Sequence, residues 1–155
     1  MGMTGQYLAV TSEVLQSIRS EEVSIHSLET GLDIDKSWQA LHYVLCGTIA
    51  DGEPPLGLIV PMSGSHYIGH LSDMDVFALS PTEVEEALSA VEKITAAELK
   101  EQYDFADLLE QGVYPVMEDE DPEAFFEYIY EHFTAIRDFY AKVTAEGKQI
   151  LFYIF

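Results

Sequence analysis

Both ends of this 155-residue chain read as strands that are apolar on both faces, and this constrains the fold more than any other feature. In the first ten residues, Met3, Gly5, Tyr7 and Ala9 alternate with Gln6, Leu8 and Val10, while Gln149 to Phe155 reads as a closing strand of continuous apolar character. A strand buried on both sides belongs in the interior of a sheet covered by two layers. The two terminal strands are therefore expected at the centre of one sheet.

The sequence between them is mainly helical. Thr11 is placed to cap a short helix with a Val14, Leu15 and Ile18 stripe. Residues 21–31 are polar and read as a loop with at most a helical turn. Asp33 or Asp35 is expected to cap a helix running to about Cys46, with Gly47 as its stop. Residues 48–70 are irregular. Residues 56–60 read as a short strand broken by Pro61, and residues 51–75 are the expected place for a lid. A strand at 76–79 leads to Ser80-Pro81-Thr82-Glu83, a capping box with proline at the first helical position. Thr95 and Glu98 repeat that chemistry, and Asp104 can cap a third short helix ending at Gly112. Asp121-Pro122-Glu123 opens the longest helix, to about Glu146, with Phe126, Ile129, Phe133, Ile136, Tyr140 and Val143 inward. Strands separated by helices predict a single, helix-rich α/β domain over 1–155, a small mixed sheet with helices on both faces in three layers.

Charge excludes some functions. There are 28 acids against 7 Lys and Arg, a net charge of −21. Residues 83–131 hold 16 of the acids against Lys93 and Lys100. A field of that sign repels nucleic-acid phosphates and anionic membranes. The densest run, Glu118-Asp119-Glu120-Asp121, reads as a solvated surface or as a contact for a basic partner. It lacks the spacing of a calcium loop, and no metal site or cofactor is expected. With one cysteine, Cys46, no apolar run long enough to span a bilayer and no leader-like N-terminus, the expected setting is the cytoplasm, as a monomer or weak homodimer.

The chain resembles the YfbM-like family of bacterial proteins, a domain of unknown function. Three blocks carry the resemblance. They are Met1-Gly2-Met3-x-Gly5-x-Tyr7; then Leu32-Asp33-Ile34-Asp35-Lys36-x-Trp38-x-x-Leu41-His42-Tyr43 closing at Gly47; then Leu79-Ser80-Pro81-x-Glu83-Val84, Tyr103-Asp104, Tyr114-Pro115, Phe139-Tyr140-Ala141 and Gly147. The resemblance implies a compact three-layer α/β fold and no established activity, cofactor or substrate. Residues 51–75 depart from the family pattern, as do Met117 and Glu118, near which the family often carries an aromatic.

The second block supplies the candidate site. On a helix, Asp35, Trp38 and His42 lie near one face. They read either as a cap and a core histidine, or as a carboxylate-oriented imidazole at a pocket rim with Trp38 as its wall. Asp33 and Asp35 are a candidate carboxylate pair or two helix-start residues. Gly2 and Gly5 mark a close approach, most simply of the Trp38 helix, and Tyr7 could present its hydroxyl beside it. The candidate ligand contacts are thus Tyr7, Asp33, Asp35, Trp38 and His42, with His42 and Asp35 as the catalytic candidates and residues 118–121 as the partner contact. His66 and His70 read as loop histidines, and Cys46 as a buried thiol. The leading expectation is a non-catalytic module that binds a protein or small ligand. The alternatives are a small hydrolase or transferase using His42 with Asp35, and an inhibitor or immunity-type protein masking a basic partner.

Overall fold

The computed structural model describes residues 2–29 and 31–155, so Met1 of the opening block and Thr30 of the 21–31 loop lie outside the described residues. Five strands form one sheet: β1 (Gly5–Val10), β2 (Leu32–Asp33), β3 (Tyr67–Leu71), β4 (Met74–Leu79) and β5 (Gln149–Ile154), in the order β2-β1-β5-β4-β3. β5 is central and pairs with β1 from Gly5↔Ile154 to Val10↔Gln149, so the two doubly apolar terminal strands do meet in the interior of the sheet. All four pairings are antiparallel, where strands separated by helices suggested a mixed sheet. Antiparallel pairing arises because the segments between β1 and β5 and between β4 and β5 return the chain to the same end of the sheet.

Side-chain alternation divides the sheet into two packed faces. Tyr7, Leu79, Ile150 and Phe152 face the larger core. Over them lie α2 (Trp38–Cys46), α3 (Pro81–Lys93), α4 (Ala96–Gln102), α5 (Phe105–Glu110) and α6 (Pro122–Glu146). Leu8, Val10, Val76, Leu151 and Tyr153 face a smaller core closed by Ile18 of α1 (Ser12–Arg19) and by Ile25 in a one-turn 3₁₀ helix. The fold is therefore the expected helix-rich α/β sandwich, unequal in its two helical layers.

Helix starts follow the sequence chemistry. Ser80 Oγ accepts from the Glu83 N–H at 3.2 Å while Glu83 Oε1 accepts from the Ser80 N–H at 2.9 Å. Thr95 and Glu98 make the same reciprocal pair. Asp121 caps α6 by accepting from the Ala124 N–H at 3.0 Å, and Gly147 ends that helix at φ +66°. The whole predicted stripe of α6, from Phe126 to Val143, is buried.

Two segments differ from the sequence expectation. Residues 56–60 are not a strand: Leu56–Leu58 is a 3₁₀ turn, and Leu58, Ile59 and Val60 are fully buried in the larger core. Residues 51–75, expected as a lid, include this buried segment and a β-hairpin. β3 joins β4 through Ser72 and Asp73, both at positive φ (53° and 65°), the backbone of a two-residue hairpin turn. Among the described residues no helix is long and apolar enough to cross a membrane.

Candidate functional site

The block from 32 to 47 begins as an edge strand, not a helix. Gln6 and Tyr7 pair with Asp33 and Leu32, and the Ile34 N–H donates to the Gly5 carbonyl at 2.9 Å. Asp33 Oδ1 then accepts from the Asp35 N–H at 2.7 Å, and Asp35 adopts φ +52°. This closes a tight turn that reverses the chain into a 3₁₀ turn at Asp35–Ser37 and then α2. Neither aspartate caps α2, whose N-cap residue Ser37 makes no side-chain cap bond. Trp38 opens the helix and donates from its indole to the Met3 carbonyl at 2.9 Å.

Asp35 and His42 are not brought together. The His42 side chain has no solvent exposure, and its Nδ1 lies 2.9 Å from the Val60 carbonyl oxygen. Because a carbonyl only accepts, Nδ1 carries the proton, and the neutral imidazole leaves Nε2 buried with no hydrogen-bond partner among the described residues. Burial lowers the His42 pKa, outweighing the neighbouring carbonyls of Val60, Asp51 and Ala50 that favour the charged form. Tyr7 is equally enclosed and donates to the Ile59 carbonyl at 2.8 Å. Tyr140 donates to the same oxygen at 3.0 Å and to that of Leu58 at 2.9 Å. The carbonyls of the buried 58–60 segment lack a sheet ladder, and core side chains satisfy them instead. Tyr7 and His42, chosen as ligand contacts, thus serve the interior.

Asp35 faces a different feature. A cleft of about 750 Å³ lies between the 112–117 loop, the start of α6 and residues 35–36. Val113, Val116, Ala124 and Phe125 supply apolar lining, with Tyr114 and Tyr128 as aromatic walls and Asp35, Lys36 and Glu120 as charged groups. Its polar side is tightly organised. Tyr128 Oη donates to Asp35 Oδ2 at 2.7 Å and accepts from the Lys36 N–H at 3.0 Å. Burial first, then the Asp35 carboxylate, raises the Tyr128 pKa, so the hydroxyl stays protonated and keeps its donor role. Tyr114 Oη accepts from the Met3 N–H at 2.8 Å, and Gln39 Oε1 accepts from the Tyr114 N–H at 2.7 Å, tying the loop to the N-terminal segment and α2. His132, one turn beyond Tyr128, meets its ring edge-on with centroids 4.9 Å apart. Burial lowers the His132 pKa against the pull of Glu131, Asp35 and Asp33.

Of the expected ligand contacts, only Asp35 lines this cleft, with Asp33 bonded to its N–H from β2 and Trp38 tilted against Tyr114 at 5.8 Å between centroids. Of the acidic run, Glu120 lines it. Tyr128 and Lys36 are not among the contacts expected from the sequence. The available signal was the Phe125, Tyr128 and His132 spacing, a second helical ridge beside the main α6 stripe.

The two histidines of the 64–71 segment have local partners. His66 Nε2 lies 2.7 Å from Glu83 Oε2, which ties the segment before β3 to the α3 capping box. Burial alone would raise the Glu83 pKa, but the Ser80 N–H and the His66 imidazole bring it below the usual value. His70 lies on β3, 3.2 Å from Asp75 of β4. Cys46 is half-buried at the end of α2, and burial pushes its thiol up to about 11, a poor nucleophile. Among the described residues no group of three or more His, Cys, Asp or Glu is placed to hold a metal ion.

The family model described as Domain of unknown function (DUF1877) matches residues 1–153. A solved structure, that of the protein of unknown function YfbM from Escherichia coli, is similar to this chain at 25% identity and a TM-score of 0.79, over 98% of this chain and 99% of that one. No curated protein matches the chain.

Proposed function

We propose, for a chain that belongs to the DUF1877 family, a non-catalytic binding role in the cytoplasm, exercised through the cleft between the 112–117 loop, residues 35–36 and α6. The observation that carries this reading is the combination of an apolar-walled concavity of about 750 Å³ with a polar side already held in one geometry by Tyr128, Asp35 and the Lys36 backbone. Sites for small ligands and peptide side chains have this form: mostly apolar walls, and a few polar groups fixed before the ligand arrives. Pre-formed hydrogen bonds lower the ordering cost of association. The hydrolase or transferase alternative has less support, because it needs His42 beside Asp35, and His42 is enclosed and bound to Val60.

The test is amide chemical-shift mapping of the ¹⁵N-labelled protein against a small-molecule fragment mixture. Shifts grouped on residues 35–36, 113–117 and 124–128 are expected, and substitution of the exposed Ala124 by Trp should abolish them by filling the cleft. Shifts scattered over the surface, or none, would overturn the reading.

A further inference from the structure

We infer that the natural occupant of this cleft is a basic segment of another protein, with an apolar side chain seated in the cleft and flanking Lys or Arg residues against Glu118, Asp119 and Glu120; the inference rests on the cleft being the binding site. Charge complementarity carries it. Residues 112–131 contain seven acids and no Lys or Arg. Glu120 lines the cleft itself, and Glu118 and Asp119 precede it in the chain, both exposed. Among the described residues none of these three carboxylates has an ion-pair partner, while Asp121 is engaged as the α6 cap.

The acids are also held in place beside the apolar surface. The Glu120 N–H donates to the Met117 carbonyl at 3.1 Å, closing a turn that holds the exposed residues 118–119 between two residues of the cleft lining. Met117, 60% exposed, lies on the same rim as an unbranched apolar contact that adapts to a partner side chain. Lys36, whose N–H donates to Tyr128 Oη, is the sole cation among the described lining residues. A segment crossing the cleft therefore meets the acids before α6 at one place and the oppositely charged neighbours Asp35 and Lys36 at Tyr128. Phosphate-bearing partners are disfavoured by the same field.

The probes are two pools of synthetic peptides about ten residues long, with a central Leu, Met, Phe or Trp flanked by Lys and Arg in one pool and by Asp and Glu in the other. Binding is followed by fluorescence anisotropy and amide shift mapping. The basic pool is expected to bind about tenfold or more tightly than the acidic pool at low salt, and to weaken by about tenfold at high salt, because exposed charge pairs are screened. The triple substitution Glu118→Gln, Asp119→Asn and Glu120→Gln, which spares the Asp121 cap, should lower the affinity by about tenfold. Replacing the central apolar residue by Ser, or Ala124 by Trp, should also weaken binding, and in the unsubstituted protein the shifts should include Val116, Ala124 and Tyr128. Equal binding of the two pools, or basic binding indifferent to the central residue and to the cleft shifts, overturns the inference. If fragments shift the cleft while neither pool binds, this inference fails and the binding-site reading stands; if fragments also leave the cleft unmoved, both fail.

Discussion

His42 donates from Nδ1 to the carbonyl oxygen of Val60 at 2.9 Å, inside the larger core. The bond joins α2 to a buried segment that has no strand partner, and it leaves the second ring nitrogen without one. The most chemically suggestive residue of the chain therefore works as a fastener, at the expense of a desolvated acceptor.

This relationship has a pH signature. The folded-state pKa of His42 is lowered below its ordinary value of 6.5, so the unfolded chain binds the proton first as pH falls. The stabilisation is complete above about pH 6.5 and declines below it. His42→Asn, which retains a donor for Val60, should cost about 1–3 kcal/mol at pH 8. The difference from the parent protein should shrink as pH falls from 7 towards 5. Urea denaturation across that range measures it, and a constant difference would mean that His42 does not titrate with unfolding.

Gly5 is required by contact. A Cβ at that position would stand 2.8 Å from Trp38 Cβ and 3.1 Å from Phe152 Cε1. Neither neighbour can retreat, since Trp38 is fixed by its bond to Met3 and Phe152 lies in the central strand. Gly5→Ala should destabilise by about 1–3 kcal/mol through overpacking. Gly64, with nothing within 4 Å of its Cβ position, is the control, and Gly64→Ala should stay within about 0.5 kcal/mol.

Tyr128→Phe removes one donor and one acceptor from the cleft. It leaves Asp35 without its hydroxyl and the Lys36 N–H without its partner. A loss of about 1–2 kcal/mol in stability is expected from chemical denaturation. The same variant should bind cleft fragments more weakly, because the 35–36 turn loses its anchor. Unchanged stability would show that water replaces the hydroxyl without cost.

The hairpin between β3 and β4 offers a stabilising change. Asp73 sits at φ +65°, a conformation that glycine reaches without a Cβ penalty, and among the described residues its carboxylate has no hydrogen-bond or ion-pair partner. Asp73→Gly should raise stability by about 0.5 kcal/mol, the relief of backbone strain exceeding the added freedom of the unfolded chain. It also removes one acid from a chain of net charge −21, in the same direction. A fall in thermal midpoint would show that Asp73 contributes a contact that outweighs the strain. Ser72 should not be altered in the same test, since its hydroxyl accepts from the Ile25 N–H at 3.0 Å.

Local chemistry was legible wherever neighbours in sequence are neighbours in space. The Ser80–Glu83 and Thr95–Glu98 capping boxes, the Asp121 cap, the Gly47 and Gly147 stops and the α6 stripe all involve residues within a turn of one another. The central place of β1 and β5 was legible too, because double-sided burial leaves its mark on composition. β3 escaped notice because an edge strand carrying Gly69 and His70, with a bulge beyond Tyr67, has no clear alternation. Residues 56–60 read as a strand because an apolar run records burial but not where its backbone bonds are made.

By itself, then, the sequence determined the starts of α3, α4, α5 and α6, the class of the fold, the interior place of the terminal strands, the acidic composition and the close approach at Gly5. Only the tertiary structure decided what the polar residues of the 32–47 block do. Asp35 and His42 are seven positions apart, but the positive φ of Asp35 and the 3₁₀ turn at Asp35–Ser37 break the single α-helix that would have aligned them. One was turned outward to Tyr128 and the other inward to Val60, partners 93 and 18 residues away. Spacing along a chain predicts proximity only while the backbone keeps one period, and here the turn ends that period between the two residues.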